Sequence, residues 1–243
     1  MKILVLGDVH ARSEAFDILD REIDQVDLVI FLGDFVSTHD RVTEEEQIRV
    51  CNEIFEWKES MPEKIVLLRG NHDQQMAGYH WAQCSGYFPK VGKWLEENKD
   101  RWLKNTQWVY IHENLLFSHA GVSKVWMENN QIKSVEDINA LEPSEIFGFT
   151  PDGWWDRVGD SVTQPPTWIR PTYLLKCMVD GYTQIVGHTP MHRICNVSKE
   201  VRGKSVNPNT PDLWLCDCLP KQYLIIDNGE FIVKEFENES IRK

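Results

Sequence analysis

The chain opens with Lys2-Ile3-Leu4-Val5-Leu6-Gly7-Asp8-Val9-His10, an apolar run that ends in a glycine and two polar side chains. A short apolar run bounded by glycine predicts a buried β-strand over residues 2–7. Ligands bind outside the carboxyl ends of the strands in open α/β sheets. Asp8 and His10 follow this strand directly and are therefore candidates for a functional site.

The same alternation of strand and helix continues through the first third of the chain. Apolar runs predict further strands over residues 27–32 and 64–68. Apolar side chains at helical spacing predict helices over residues 12–24 and 43–60, the second one beginning after Thr43 as its N-cap. A β-α-β-α-β order is typical of a layered α/β domain whose first strands pair in parallel through right-handed crossovers.

The rest of the chain combines weaker helical patterns with closing strands. We predict a helix over residues 75–104 and a β-hairpin formed by residues 107–111 and 115–118. Shorter helices are predicted over residues 136–142 and 172–180. Four short apolar runs predict the closing strands, over residues 184–187, 213–217, 223–227 and 231–236.

Length and composition limit the class of protein. The 243 residues predict a single domain over 1–243, and 26 basic against 38 acidic residues give a net charge of −12. A nucleic-acid or anionic-membrane binder would show a basic stripe instead. No apolar run approaches the roughly 20 residues of a membrane-spanning helix. We therefore expect a cytoplasmic protein with neither a membrane nor a nucleic acid as its partner.

The cysteines predict neither a disulfide framework nor a thiolate metal site. Six cysteines are scattered along the chain, and disulfides are rare in a reducing compartment. The one close pair, Cys216 and Cys218, is interpreted as two strand residues that share a face, because side chains alternate along a strand.

Polar side chains follow five of the predicted strands, each time with a glycine adjacent or nearby. The five segments are Gly7-Asp8-Val9-His10, Gly33-Asp34, Gly70-Asn71-His72-Asp73, Ser118-His119-Ala120-Gly121 and Gly187-His188-Thr189. Their collected candidate ligands are Asp8, His10, Asp34, Asn71, His72, His119 and His188. Mixed oxygen and imidazole ligands suit Mn, Fe or Zn better than Ca. Two metals that share one carboxylate use this set more economically than one metal does, as in two-metal hydrolytic sites.

The motif order resembles that of the calcineurin-like metallophosphoesterase superfamily, which is D-x-H, GD, GNH(D/E), a histidine-containing strand and GH. The corresponding motifs in this chain are GDVH, GDF, GNHD, SHAG and GHTP, which span Asp8 to His188. Within the superfamily the motifs look most like those of the phosphoprotein phosphatase branch. That branch includes bacterial and lambda-phage-type Ser/Thr phosphatases and the symmetrical diadenosine tetraphosphate hydrolases. The resemblance implies an α/β fold, a sandwich of two mixed β-sheets flanked by helices, with a binuclear metal site at the strand ends.

The resemblance also implies a role for each ligand. Asp8 and His10 would hold the first metal, Asp34 would bridge, and the second metal would be completed by Asn71, His119 and His188. The cofactors implied are two divalent ions, with Mn²⁺ expected first and Fe, Zn or Ni as alternatives.

Two motifs depart from the pattern of the branch. The branch usually has GDxxDRG, whose second acid orients the catalytic imidazole, and Ser37 stands at that position here. Asp40 and Arg41 could supply both groups from a locally inserted loop. Phosphodiesterases often carry GHxH, but here Pro190 takes the place of the second histidine. His192 is interpreted as structural or outside the ligand set, which favours a phosphomonoesterase.

The expected mechanism is attack on phosphorus by a metal-bridging hydroxide. His72 is the candidate general acid, because its ordinary pKa of about 6.5 lets it carry a proton near neutrality. Asp73, or Asp40 if the loop folds back, is the candidate partner of its other ring nitrogen. Arg41, Arg157 and Arg170 are candidates to bind phosphate, and Trp155-Asp156-Arg157 resembles a phosphate-holding segment of lambda-type phosphatases.

These features predict a metal-dependent hydrolase of phosphomonoesters, with Ser/Thr phosphoproteins as candidate substrates. The alternatives are a hydrolase of nucleotides or dinucleoside polyphosphates, and a phosphodiesterase acting on cyclic or nucleic-acid termini. Residues 122–171 lie between two ligand motifs and are rich in proline, glycine and tryptophan, so we expect them to form a cap that sets specificity.

Overall fold

Two mixed β-sheets pack face to face in the computed structural model, which describes residues 1–38, 40–198 and 212–236. The first sheet is formed by β1 (Lys2–Leu6), β2 (Leu28–Phe31), β3 (Ile65–Leu68), β4 (Thr106–Gln107), β10 (Gln222–Asp227) and β11 (Glu230–Glu235). The second is formed by β5 (Val109–His112), β6 (Leu115–Ser118), β7 (Thr183–Val186), β8 (Cys195–Asn196) and β9 (Leu213–Leu215). The expected fold class is confirmed.

Parallel pairing dominates the middle of both sheets. The first sheet has the order β11-β10-β1-β2-β3-β4, and β1 to β4 are parallel as the crossover pattern predicted. The second has the order β5-β6-β7-β9-β8, with β6, β7 and β9 parallel. Since parallel strands end on the same side, each sheet gathers the loops that follow its central strands at one edge.

Helices cover the outer faces of the sandwich. They are α1 (Glu14–Glu22), α2 (Glu44–Ser60), α3 (Asn71–Met76), α4 (Pro89–Glu97), α5 (Lys99–Asn105), α6 (Lys124–Asn129) and α7 (Pro171–Leu174). Short 3-10 helices occupy Ile23–Gln25, Glu136–Ala140 and Glu145–Phe147. No helix in these described parts of the chain is long and apolar enough to cross a membrane.

Strand β1 is apolar throughout because both of its faces are buried. Ile3 and Val5 pack in the core between the two sheets, whereas Leu4 and Leu6 pack in the core beneath the helices. Alternation along a strand sends successive side chains to opposite faces, so a strand inside a sandwich covered by helices needs no polar positions.

Several predicted elements differ from the structure. The helix expected over 75–104 is wrong: the chain forms α3, α4 and α5 instead, with irregular structure between Met76 and Pro89. Gly78 has φ +80°, which a helix cannot accommodate, and Pro89 begins a new helix at its first turn. The predicted helices over 136–142 and 172–180 shrink to a 3-10 helix and to the single turn of α7.

The last strand of the second sheet ends earlier than predicted. The predicted strand over 213–217 stops at Leu215, which leaves Asp217 in the loop beyond the carboxyl end of β9. This places one more acidic side chain at the edge where the candidate ligands were expected.

The two halves of segment 122–171, the expected cap, pack in different places. Its first half, with α6 and the two 3-10 helices, packs on the outer face of the second sheet against side chains such as Trp108 and Leu116. Only the second half approaches the edge that carries the ligand motifs, where Phe149 and Trp168 line a cavity.

Arg69, directly before the GNHD motif, ties the end of β3 to α5 and β4. Its side chain is buried, and its Nε donates to Thr106 Oγ1 at 2.9 Å while Nη2 donates to the carbonyl oxygens of Leu103 and Thr106. The guanidinium also lies over the ring of Trp108, 4.6 Å from its centroid. Burial lowers the pKa of Arg69 to about 10, which keeps it charged at neutral pH.

We predict that Arg69→Lys destabilises the protein by about 2 kcal/mol, because an ammonium cannot make these hydrogen bonds in a plane and stack on the indole at once. The free energy of unfolding in urea measures the loss. Arg49→Lys is the matched control: Arg49 is exposed and pairs with Glu46 and Glu53 on α2, so its loss should stay within about 0.5 kcal/mol. Equal losses in the two variants would contradict the role assigned to Arg69.

Candidate metal centre

The strand-end residues that the sequence singled out meet in one place. Asp8 follows β1, Asp34 follows β2, Asn71 begins α3 after β3, and His188 follows β7. All four line a cavity of about 450 Å³, and His10 and His72 line it too. His119, which follows β6, is fully buried against Asp34.

Asp34 lies at the middle of the group. Its Oδ2 is 3.4 Å from His119 Nε2 and 3.9 Å from His10 Nε2. Asp8 lies on the same side as His10, with Oδ2 3.9 Å from His10 Nε2. Ligand atoms of Asp8, Asp34 and His119 all fall within 4.8 Å of one another.

A second set of ligand atoms surrounds the side-chain amide of Asn71. The Oδ1 of Asn71 is 2.9 Å from His119 Nε2 and 3.1 Å from His188 Nδ1. With Asp34 shared, the atoms therefore form two adjoining groups. One contains Asp8 and His10, and the other contains Asn71, His119 and His188.

The outer nitrogen of each imidazole is held by a backbone carbonyl. His10 Nδ1 is 2.6 Å from the carbonyl oxygen of Ser37, His119 Nδ1 is 2.8 Å from that of Leu32, and His188 Nε2 is 3.1 Å from that of Trp168. Since a carbonyl only accepts, each of these nitrogens carries the hydrogen. Burial lowers the pKa of all three imidazoles, which keeps them neutral. Their inward nitrogens consequently present lone pairs.

This arrangement fits divalent cations. The inward nitrogens of His119 and His188 both face the carbonyl oxygen of Asn71, so acceptors face acceptors with no hydrogen between them. Burial and the charge of nearby carboxylates raise the pKa of Asp8 well above its usual value. Cations placed among these atoms would satisfy the lone pairs and neutralise the carboxylates. The residues fit two metal positions that share Asp34.

The backbone around the ligands is strained. His10, Asp34, Ser37 and His188 all have φ between +45° and +66°, the left-handed region that non-glycine residues rarely adopt. Such conformations persist where the surrounding structure imposes them, and they concentrate at functional sites.

Close approach of the loops explains one glycine of the GNHD motif. A Cβ at Gly70 would overlap the carboxylate of Asp34 and its backbone nitrogen. Only glycine lets the loop after β3 approach the loop after β2 this closely.

Asp73 does not line the cavity, but it supports the loop that carries Asp34. It is fully buried, and its carboxylate accepts hydrogen bonds from the backbone N–H groups of Asp34 and Phe35, both at 2.8 Å, and of Gly70 at 3.0 Å. Burial, with the charge of Asp34, raises its pKa to about 8. The expectation that Asp73 holds the ring of His72 is therefore wrong; it holds the loop that carries Asp34.

Ser37 contacts the imidazole of His72 at the position where the branch usually has an acid. The backbone N–H of His72 donates to Asp34 Oδ1 at 2.9 Å, and its Nδ1 is 2.8 Å from Ser37 Oγ. The hydroxyl of Ser37 donates to the carbonyl oxygen of Gly86, so it accepts from Nδ1 of His72. Ser37, which stands at the position of the usual acid, thus contacts the imidazole through a neutral hydroxyl.

The inserted-loop hypothesis for Asp40 and Arg41 is also wrong. The carboxylate of Asp40 is exposed and forms an ion pair with Arg12 at 3.2 Å. Arg41 is exposed and does not line the cavity, as far as the described residues define it. His192 is likewise exposed and lies outside that lining.

Arg157 and Arg170 do line the cavity. Arg170 is half-buried. Its Nη1 donates to the carbonyl oxygen of His188 at 2.9 Å and to Thr189 Oγ1 at 3.1 Å. Arg157 is exposed at the rim. Within the described residues neither guanidinium forms an ion pair with a carboxylate, so both are available to an anion.

Three residues at the centre escaped the sequence reasoning: Ser37, Cys84 and Asp217. Ser37 was treated as the absence of an acid, although a hydroxyl can also accept a hydrogen bond. Cys84 follows no strand and lies in the stretch predicted as helix. Asp217 could have been found from the sequence, because it follows an apolar run as the other candidates do. The predicted strand over 213–217 instead included it.

Cys84 fixes the orientation of the Asn71 amide. Asn71 Nδ2 donates to Cys84 Sγ at 3.0 Å, which directs Oδ1 towards the two histidines. Gln75 Nε2 donates to the carbonyl oxygen of Cys84 at 3.1 Å and holds this loop in place. Burial raises the pKa of the Cys84 thiol, so the sulfur is a neutral acceptor.

We predict that Cys84→Ala weakens binding of Mn²⁺ about tenfold, since outer-shell partners of metal ligands typically contribute that much. Cys84→Ser should restore binding because a hydroxyl can accept the same hydrogen bond. Calorimetric titration of the metal-free protein measures both. Identical affinities for the alanine variant and the wild type would contradict the role of this thiol.

The whole sequence was compared with known families and structures. The profile of the family described as calcineurin-like phosphoesterase matches residues 1–217. A mutant of a cold-active protein tyrosine phosphatase superimposes with a TM-score of 0.63 at 18% identity, covering 96% of this chain and 77% of that one. A protein serine/threonine phosphatase from Saccharomyces cerevisiae gives a TM-score of 0.55 at 14% identity, covering 98% and 80%. No curated protein sequence matches the chain. At these identities the two structures establish a shared fold.

Proposed function

The chain belongs to the calcineurin-like phosphoesterase family, and on that premise we propose that it is a metal-dependent phosphatase acting on phosphomonoesters. One observation supports the proposal. Six candidate ligand groups converge around Asp34, and His72 and Arg170 line the same cavity.

The metal ions, when bound, would neutralise phosphate oxygens and lower the pKa of a water molecule so that it becomes a nucleophile near neutral pH. We assign the first position to Asp8 and His10 and the second to Asn71, His119 and His188, with Asp34 shared. The carbonyl groups that hold the outer nitrogens keep the imidazoles aimed inward, so the chain provides the site without first having to rearrange.

His72 is the group that we assign to protonate the leaving oxygen. Its Nδ1 is engaged by Ser37, which assigns Nε2 to the proton transfer. The hydrogen bond from its backbone N–H to Asp34 Oδ1 fixes its distance from the shared carboxylate. A proton supplied at this point is most valuable when the leaving group is a poorly acidic alcohol, such as serine or threonine.

Arg170 and Arg157 are proposed to bind the terminal phosphate oxygens. A guanidinium can donate two parallel hydrogen bonds to such oxygens. The net charge of −12 opposes an anionic substrate, so a local positive field has to outweigh it. Arg157 and Arg170, which pair with no carboxylate among the described residues, supply that field beside the proposed metal positions. Residues 149–171, which carry both arginines, are the proposed determinant of specificity.

The proposed substrates are phosphoserine and phosphothreonine residues of proteins. A monoester offers three terminal oxygens to cations and arginines, whereas a diester offers two. The GNHD, SHAG and GHTP motifs support the phosphoprotein phosphatase branch, and Pro190 stands where phosphodiesterases often carry a second histidine.

A second candidate is a hydrolase of nucleotides or dinucleoside polyphosphates. Trp154 is 84% exposed and Trp155 is 51% exposed, directly before Arg157 of the cavity rim. Exposed indoles next to a cation favour a flat, anionic substrate, because bases stack on aromatic rings. Relative turnover of a phosphopeptide and of diadenosine tetraphosphate distinguishes the two candidates.

The central prediction concerns Asp34→Asn. Replacing the shared carboxylate by an amide should lower kcat/KM for para-nitrophenyl phosphate, assayed with Mn²⁺, on the order of a thousandfold while the protein stays folded. Circular dichroism and the thermal midpoint of the metal-free protein check the fold. Activity of Asp34→Asn within a few-fold of wild type would contradict the proposal. So would a preference of the wild type for bis-para-nitrophenyl phosphate over the monoester.

Ser37→Ala tests the proton donor. Without the hydroxyl the ring of His72 loses its hydrogen bond at Nδ1, and kcat for a phosphoserine peptide should fall about 10-fold, part of the roughly 10²–10⁴ that a positioned acid contributes. Para-nitrophenyl phosphate should be affected less, because its leaving group needs no proton. Ser60→Ala, at the exposed end of α2, is the control. Equal losses on both substrates would assign Ser37 a purely structural role.

A further inference from the structure

Asp217 is an acidic side chain of the cavity to which no role has yet been given. It is 7% exposed, and it lines the cavity together with Asp8 and His10. Its carboxylate makes no hydrogen bond and no ion pair with any residue that the structure describes. Its backbone carbonyl oxygen accepts a hydrogen bond from the N–H of Met191 at 2.9 Å.

The fold brings Asp217 against the loop that carries Asp8. Strand β9 is the parallel neighbour of β7, and the N–H of Cys216 donates to the carbonyl oxygen of Val186 at 2.7 Å. A Cβ added to Gly7 would overlap the carbonyl oxygen of Cys216 and lie 3.1 Å from the Cα of Asp217. The backbone of Asp217 therefore runs directly beside Gly7-Asp8.

The cysteines on either side direct the carboxylate into the cavity. Cys216 and Cys218 are both buried in the apolar core between the two sheets. Successive side chains of an extended segment point to opposite sides. With both neighbours in the core, Asp217 faces the other way, towards the candidate ligands, and this agrees with its place in the cavity lining.

A buried carboxylate without a partner is unfavourable unless a cation compensates it. Arg170, which lines the same cavity, donates to the carbonyl oxygens of His188 and Val158 and to the hydroxyl of Thr189, and it forms no ion pair with Asp217. Among the described residues, this buried carboxylate therefore has no cation in contact with it. A cation at the first metal position would provide the compensating charge.

We propose that Asp217 is a further carboxylate of the first metal position, beside Asp8, His10 and the shared Asp34. The assignment rests on the proposed binuclear centre and goes beyond the ligand set that the motifs carry. It makes the two positions chemically unequal. The first then has three carboxylates and one imidazole, whereas the second has two imidazoles, an amide and the shared carboxylate.

Unequal ligand sets predict unequal metal preferences. Carboxylate-rich positions suit hard cations such as Mn²⁺ and Mg²⁺, whereas imidazoles suit Zn²⁺ and other borderline metals. Asp217 should therefore increase the affinity of the first position for Mn²⁺ in particular. This preference would be absent if the position were formed by Asp8, His10 and Asp34 alone.

The test is titration of metal-free protein with Mn²⁺ alone, followed by calorimetry and by the electron paramagnetic resonance signal of free Mn²⁺. Wild type should bind two ions. Asp217→Asn should still bind one ion normally and bind the other at least tenfold more weakly, and Asp217→Glu should recover most of that loss. Asp20→Asn, an exposed acid of α1, controls for the change in net charge and should match wild type.

Thermal midpoints separate metal binding from a purely structural role. Without metal, Asp217→Asn should be at least as stable as wild type, because it removes an uncompensated buried charge. With Mn²⁺ it should gain less stability than wild type does. Wild-type affinity for both ions in Asp217→Asn, or a lower midpoint of its metal-free form, would overturn the assignment. If wild type itself bound no pair of ions, the binuclear centre and the proposed function would fail first.

Discussion

The meeting of lone pairs around Asp34 is the constraint on which the rest of this structure depends. Three neutral imidazoles, an amide oxygen and two carboxylates converge with no hydrogens between them, inside a protein interior where such contacts repel. The fold tolerates these repulsive contacts because each ligand side chain is oriented by a hydrogen bond to a group outside the ligand set. The centre is therefore built from two layers, the ligands and the groups that aim them.

The outer layer consists mostly of backbone. Carbonyl oxygens of Leu32, Ser37 and Trp168 orient the imidazoles, and Asp73 accepts hydrogen bonds from three N–H groups in the two loops after β2 and β3. Backbone groups have little freedom once strands are paired, so they fix the direction of a side chain more firmly than another side chain would. Ser37 illustrates this economy, since its carbonyl oxygen orients His10 and its hydroxyl orients His72.

The charges at the cavity differ from the net charge of the chain. The chain is acidic overall, yet Arg157 and Arg170 line the cavity and form no ion pair with a carboxylate in the part of the chain that the structure describes. The buried acids Asp8, Asp73 and Asp217 all have raised pKa values, for which burial is the main cause. The close contacts between these groups are unfavourable without a cation, and a bound metal ion would relieve them.

Much of this could be read from local patterns. Apolar runs ending in glycine and a ligand-type residue identified the central strands, their parallel order and the convergence of the ligands, because these follow from strand periodicity and from the direction of parallel pairing. The region 75–104 could not be predicted in this way. Its apolar residues pack at helical spacing, but Gly78 and Pro89 divide it, and its loop contributes Cys84 to the centre.

The sequence by itself determined which side chains would gather, since an Asp or His directly after a buried strand has only one edge of the sheet to reach. Only the tertiary structure decided what orients them. Ser37 contacts His72 in place of an acid, and Asp73 binds backbone N–H groups instead of the imidazole. Asp217 lies in the loop at the cavity because β9 ends at Leu215. Such choices depend on distances between loops far apart in the chain, and no local pattern of residues encodes those distances.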